Sequence, residues 1–208
     1  VWLSVIPLLS YLLSSSKDAS RLVALFKRAW PPTILVFLVV YAAILHYWSL
    51  GFPTAPYRQN FHLLGWHGFA GQVEQLVDEN TQPGGQPLPV VGLDRHKIAS
   101  GLTFYRSRLA IADEDSAASA PVAETTSSHL FGMNSLMYGF WFPYANYVGR
   151  DMILISDKTR LLEKPYVIQQ FDHVGEIGKI TYDKNGRQAG TYYYRLAYGY
   201  RGNEKLFR

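Results

Sequence analysis

The chain contains no cysteine, which excludes disulfide bonds, a thiolate nucleophile and cysteine-based metal sites. It also lacks a Gly-x-Ser-x-Gly motif, a paired-histidine zinc motif and a phosphate-binding loop. The six histidines are scattered, and His62 and His67 are five residues apart, off the i, i+4 spacing of helical metal pairs. These absences predict no metal site and no cofactor, and they leave the catalytic residues unknown.

Charged residues are missing from long parts of the amino-terminal quarter of the chain. Residues 1–16 carry no charge, and after Arg28 the next charge is Arg58. The second gap holds TILVFLVVYAAILHYWSLGF, residues 33–52, long enough for a helix to cross a bilayer core of about 30 Å. Residues 33–52 are therefore predicted to be a transmembrane helix, with a buried helix of a soluble protein as the alternative. The shorter apolar residues 1–13 are predicted to be the end of an earlier transmembrane helix.

Residues 14–32 join these two segments and carry four Lys or Arg and one Asp. Because short basic loops stay on the cytoplasmic side, this loop is predicted to be cytoplasmic and to contain an amphipathic helix. Residues 53–208 are then predicted to be extracytoplasmic. Residues 1–52 hold +3 of the formal net charge of +4. The excess of basic residues is therefore explained by the predicted membrane topology and gives no support for binding nucleic acid.

Residues 53–208 have the pattern of a small α/β domain. A helical pattern ends near Asn80, a strand is predicted at residues 88–93, and a second helix follows it. The sequence MILIS, residues 152–156, predicts a buried strand, and Asn185-Gly186 predicts a turn between two later strands. The predicted fold class is a membrane-anchored α/β protein, in which terminal transmembrane helices precede a domain with helices packed on a mainly parallel sheet.

Polar residues between these elements predict caps and loops. Asp94 stands between a predicted strand and helix, which is typical of an N-cap. Arg95 beside it is a candidate to hold a sugar hydroxyl or a lipid phosphate, or to pair with a surface carboxylate. Asp157 is a candidate cap for a short helix. Residues 110–128 predict a mobile loop, in which the acidic residues 113–115 are interpreted as solvated rather than as a cation site.

The densest aromatic stretch is FGMNSLMYGFWFPYANY, residues 131–147. Flat rings in such a stretch can stack on sugars, and Asn134 can orient a hydroxyl. The same rings can equally fill a core or rest on a membrane surface, where Tyr and Trp are favoured. Packing or interface roles are favoured over direct ligand contact, because aromatic side chains act mostly by burying area.

Four segments occur in an order and spacing typical of one bacterial enzyme family. They are LLGWHGFAGQVEQL, VVGLDRHKIASGLTFY, NSLMYGFW and GRDMILIS. Together they resemble the extracytoplasmic carboxyl-terminal region of glycosyltransferase family 39, the dolichyl-phosphate-mannose-protein mannosyltransferase-like membrane enzymes. The resemblance covers residues 60–156.

The resemblance implies a multi-pass glycosyltransferase of the GT-C type in the bacterial cytoplasmic (inner) membrane, with its carboxyl-terminal domain extracytoplasmic. It implies a polyprenyl-phosphate-linked sugar donor, a glycan, lipid or protein acceptor, and a catalytic base in an outer loop upstream of Val1. The alternative is a non-enzymatic, membrane-anchored periplasmic domain for binding or assembly. Six residues are the candidate substrate contacts: Arg95, Tyr105, Asn134, Tyr138, Trp141 and Arg150.

Overall fold

The computed structural model describes Tyr11 and residues 21–52, 65–112 and 124–202, which belong to two compact units. The first unit contains helix α1, Arg21–Ser49. Its portion Arg28–Ser49 is the one helix of the described residues that is long and apolar enough to cross a membrane, by length and composition.

Helix α1 is one continuous helix, whereas the sequence predicted a basic loop with its own amphipathic helix followed by a separate transmembrane helix. It begins inside the predicted loop and continues through Pro31 and Pro32 without a break. Each proline lacks the N–H of one helical hydrogen bond, and just beyond them the Thr33 hydroxyl donates to the Ala29 carbonyl at 2.8 Å. The prediction for residues 1–13 lies outside the described residues, apart from Tyr11.

The second unit is built on one five-stranded mixed sheet with the order β2-β1-β3-β5-β4. The strands are β1 Val90–Gly92, β2 Thr125–Ser127, β3 Met152–Ser156, β4 Phe171–Lys184 and β5 Arg187–Tyr200. Strand β1 pairs in parallel with β2 and β3, whereas β5 pairs antiparallel with β3 and β4. The prediction of a mainly parallel sheet is therefore correct only for the end formed by β2, β1 and β3. At the other end β4 and β5 form a hairpin, and strands joined by a hairpin are antiparallel.

Helices cover both faces of this sheet. On one face lie α2 Trp66–Asn80 and α3 Lys97–Ala112, where a Cβ added to Gly92 would come within 3.0 Å of the Ala99 nitrogen. On the other face Val91 and Leu154 join a core cluster with Leu130 and Tyr147, since alternate strand residues point to opposite faces. The short helices of the unit are α4 Tyr138–Trp141, α5 Thr159–Leu162 and α6 Pro165–Ile168, with 3-10 turns at Ser128–Phe131 and Tyr144–Tyr147.

Three local predictions are confirmed. Helix α2 ends at Asn80, and all five residues of β3 are buried. The turn between β4 and β5 is Asn185-Gly186, with φ angles of 53° and 70°. Positive φ at both positions is the geometry of the type I′ turn, which matches the twist of hairpin strands.

The predicted loop of residues 110–128 is wrong at both of its ends. Helix α3 continues to Ala112, and Thr125–Ser127 form β2, which pairs with β1. Distant groups bond to two of these three buried side chains. Arg106 donates to the Thr125 hydroxyl at 2.7 Å, and the Ser127 hydroxyl donates to the carbonyls of Asp94 and Arg95 at 3.1 and 3.0 Å. The acidic residues 113–115 lie outside the described residues.

The predicted Asp157 cap is also wrong. Helix α5 has Lys158 at its N-cap position and no side-chain capping bond. The Ser156 hydroxyl accepts instead from the Lys158 backbone N–H at 3.1 Å. The turn after β3 is therefore held by the last strand residue rather than by the aspartate beside it.

Candidate functional site

The parallel strands β1, β2 and β3 have their carboxyl ends at the same end of the sheet. After β1 the chain crosses one face of the sheet as helix α3, and after β2 it crosses the other face, where Leu130 and Tyr147 join the core. The two loops therefore diverge at this end of the sheet. Open α/β sheets bind ligands in the crevice that such divergence leaves. The loops are joined by hydroxyl groups: Ser128 donates to the Asp94 carbonyl at 2.8 Å, and Ser127 contacts the carbonyls of Asp94 and Arg95 at 3.1 and 3.0 Å.

Asp94 acts at this edge as a helix cap, which confirms the prediction. Its carboxylate accepts from the Lys97 N–H at 2.7 Å and from the Ile98 N–H at 3.1 Å. Both oxygens therefore bond to free donors of the first turn of α3, where a negative charge also stabilises the helix. The Asp94 carboxylate is thus committed to backbone structure.

An open pocket of about 430 Å³ lies beside these loops. Ligand sites in proteins span about 300–1,000 Å³, with apolar walls and a few polar groups that orient the ligand. This pocket has that mixture, and all of its lining residues come from the connection after β2: His129, Gly132, Met133, Asn134, Ser135, Leu136, Gly139 and Tyr144.

Arg95 reaches this pocket through Asn134, although the two residues are 39 positions apart. Its Nη2 donates to the Asn134 Oδ1 over a long distance of 3.5 Å. The same oxygen accepts from the Leu136 N–H at 3.3 Å, and Leu136 has a φ of 55°, which is uncommon for a residue with a bulky side chain. Asn134 therefore connects an exposed cation to a strained turn at the pocket wall.

Tyr138 and Trp141 lie on the short helix α4 next to the pocket. The Tyr138 hydroxyl and the Ser100 hydroxyl are 3.0 Å apart, and Tyr138 is buried with 6% of its surface exposed. Trp141 packs edge-on against the Tyr138 ring at 5.8 Å but leaves 60% of its own surface exposed. Tyr138 thus anchors the helix to α3, and Trp141 presents a ring to solvent.

His129 forms part of the pocket wall and is nearly buried. Its Nε2 lies 2.7 Å from the Phe142 carbonyl oxygen, and because a carbonyl only accepts, Nε2 carries the proton. Burial lowers the pKa of His129 below its usual 6.5, opposed in part by the carbonyl oxygens of Phe142 and Ser127. The imidazole is therefore neutral at physiological pH and positions the chain at Phe142.

The other two predicted contacts lie apart from the pocket lining. Tyr105 stacks on Trp66 of α2, with ring centroids 6.3 Å apart and planes at 6°. Arg150 pairs with Glu124 at 3.2 Å and lies over the Tyr147 ring at 5.6 Å. Both make contacts within the fold, and their roles in substrate binding stay predictions.

Of the six predicted contacts, only Asn134 lines the pocket. Arg95 bonds to Asn134, and Tyr138 and Trp141 flank the lining residue Gly139 in the chain. Sequence reasoning missed His129, Met133, Ser135 and Tyr144 as lining residues. The signal that could have found most of them was the aromatic stretch of residues 131–147, which forms most of the pocket wall.

Among the residues that the structure describes, no group of three or more His, Asp or Glu side chains could hold a metal ion. No protein-family model matches this chain, and neither a curated protein nor a solved structure matches it.

Proposed function

We propose that this chain is the carboxyl-terminal part of an integral-membrane glycosyltransferase of the bacterial inner membrane. In this proposal a sugar moves from a polyprenyl-phosphate donor to an extracytoplasmic glycan, lipid or protein acceptor. The α/β unit contributes a saccharide-binding pocket, and the catalytic base lies outside it. The proposal rests on the sequence resemblance and on the composition of the pocket.

The observation that carries the binding role is the bond of exposed Arg95 to Asn134, which lines the open pocket, with the exposed ring of Trp141 two residues beyond the lining residue Gly139. A guanidinium and an amide can bond to sugar hydroxyls or to a phosphate oxygen, and an exposed indole offers a flat apolar face. The candidate membrane helix Arg28–Ser49 accords with a donor that is held in a bilayer.

The same pocket is poorly equipped for catalysis. Transfer from a phosphate leaving group needs a carboxylate or similar base to take the proton of the acceptor hydroxyl. None of the lining residues in the described part of the chain is Asp or Glu, and the nearby Asp94 is committed to the helix cap. A base supplied from elsewhere fits this arrangement.

Binding is tested with the full chain in lipid nanodiscs, using saturation-transfer NMR on a panel of methyl glycosides of common hexoses and pentoses. We expect at least one glycoside to bind and expect Arg95→Ala and Asn134→Ala to weaken its binding. The control is Arg201→Ala, which removes an exposed arginine that pairs with Asp172 at 2.7 Å. Binding that is unchanged in both pocket variants would contradict the proposal.

Catalysis is tested separately with a radiolabelled polyprenyl-phosphate sugar. We expect the chain alone to transfer no sugar to any acceptor. Transfer by the chain alone, lost on substitution of one of its own residues, would show that the base lies within it.

The absence of a carboxylate from the pocket lining also favours a second function, a membrane-anchored binding or assembly domain without catalysis. The gene upstream of Val1 distinguishes the two functions. Further membrane helices with an acidic outer loop support the transferase, and a start codon directly upstream supports the anchored domain.

A further inference from the structure

Five large apolar side chains lie exposed close together beside the pocket, and we call them the apolar rim: Met133, Leu136, Met137, Phe140 and Trp141. Their exposed fractions are 39%, 57%, 53%, 78% and 60%. The described residues of the α/β unit contain only three other exposed large apolar side chains, Phe104, Val148 and Tyr198. The exposure is therefore concentrated in nine residues of the chain.

Helical geometry joins part of the rim into one surface. Met137 and Trp141 are four residues apart, and such pairs are neighbours on a helix, while Met133 and Leu136 line the same pocket. The Trp141 N–H donates to the Met137 carbonyl at 3.1 Å, so this turn is helical. Soluble proteins rarely leave such a contiguous apolar patch uncovered, which indicates that the rim has a partner.

The surroundings of the rim favour a lipid surface as that partner. No charged residue occurs between Glu124 and Arg150, so the segment that carries the rim has no charge to be desolvated. Two exposed cations accompany it: Arg95 bonds to Asn134, and Lys97 begins helix α3 two residues later in the chain. Aromatic and aliphatic side chains bordered by Arg and Lys are typical of surfaces that lie in the headgroup layer.

We propose that the apolar rim inserts into the interfacial layer of a lipid bilayer, with Arg95 and Lys97 beside the lipid phosphates. The same chain contains a helix with the length and composition of a membrane span. Because Met133 and Leu136 belong both to the rim and to the pocket wall, docking opens the pocket toward the headgroup layer. Docking itself does not require glycosyl transfer, so the two proposals can fail independently.

The test uses the full chain in nanodiscs of phosphatidylcholine and phosphatidylglycerol. The absence of cysteine allows a single environment-sensitive nitrobenzoxadiazole label at Phe140→Cys, and a second at Met137→Cys in a separate variant. The control is Tyr198→Cys, an exposed aromatic position. Tyr198 follows Ala197, which pairs with the first residue of β3, so it lies at the end of the sheet opposite to the carboxyl ends of the parallel strands. Quenching is measured with phosphatidylcholine that carries bromine on its acyl chains.

We expect the labels at 137 and 140 to shift to shorter emission wavelengths and to lose fluorescence in brominated discs, while the label at 198 does neither. A shift without quenching would mean that a protein surface, such as a second copy of the chain, covers the rim, and would overturn the proposal. Labels at 137 and 140 that behave like the label at 198 would show a rim exposed to water and would also overturn it.

Discussion

Removal of the Glu74 carboxylate should destabilise the α/β unit more than any change at a surface carboxylate. Arg106 of α3 is fully buried. Its Nε and Nη2 donate to the two Glu74 oxygens at 2.6 and 3.1 Å, and its Nη1 donates to Thr125 at 2.7 Å. One guanidinium therefore joins α2, α3 and the edge strand β2, and Glu74→Ala leaves its charge without a counter-charge.

The magnitude follows from the burial of the two partners. Breaking a buried ion pair by removing one partner costs about 3–5 kcal/mol. The Glu74 side chain is 29% exposed, so in Glu74→Ala water can reach the Arg106 guanidinium and partly solvate it. The low end of the range, about 3 kcal/mol, is therefore expected. For a unit of this size each kcal/mol shifts the melting temperature by about 2–4 °C. Glu74→Ala should therefore lower the melting temperature by about 6–12 °C.

The assay is thermal unfolding of the full chain in detergent, followed by circular dichroism. Glu79→Ala on the same helix is the matched control, because Glu79 is exposed and its carboxylate accepts from the Gln75 amide of its own helix at 2.7 Å; its effect should stay within about 0.5 kcal/mol. The double variant Glu74→Leu with Arg106→Met should be more stable than Glu74→Ala, since it leaves no unpaired charge. A double variant less stable than Glu74→Ala would refute this reasoning.

Three further predictions concern the candidate site and its supports. Asp94→Ala should cost about 0.5–2 kcal/mol of stability and Asp94→Asn much less, because asparagine also caps; equal losses in thermal unfolding would contradict the capping role. Gly101→Ala should destabilise the α/β unit, because the new Cβ would lie 2.5 Å from the Trp66 ring. This clash should outweigh the helix propensity of alanine, which exceeds that of glycine by about 1 kcal/mol, and a raised melting temperature would contradict the prediction. Because the pKa of folded His129 is lowered from 6.5, its contribution to stability should be present above about pH 6.5 and fall as the pH drops below it. Unfolding of His129→Gln at several pH values should show a weaker dependence in this range, and an unchanged dependence would contradict it.

Much of the fold could be predicted because the relevant signals are local. The run of five apolar residues in β3 and the Asn185-Gly186 turn each specify a conformation without help from distant residues. Strand β2 could not be predicted, because three residues are too few for a periodic pattern. The buried hydroxyl of Thr125 in this strand depends on a donor 19 residues away in the chain, Arg106.

The candidate site divides in the same way. The Asp94 cap needs only the next four residues, and the sequence predicted it. The contacts of Arg95 with Asn134 and of Ser100 with Tyr138 join residues 39 and 38 positions apart. These contacts exist because the loops after β1 and β2 meet at the carboxyl ends of the parallel strands. A sequence pattern within one segment does not show that two distant segments meet.

The position of β5 in the sheet has a consequence for the order in which the protein can be made. The parallel strands are complete when Ser156 has been synthesised, yet β3 pairs on its other side with β5, which begins only at Arg187. Until then the growing chain holds an apolar strand with one open edge, the kind of edge that invites pairing with another chain. A premature stop between these positions should therefore yield an aggregating product rather than a smaller folded domain, and newly made chains should need protection during that interval.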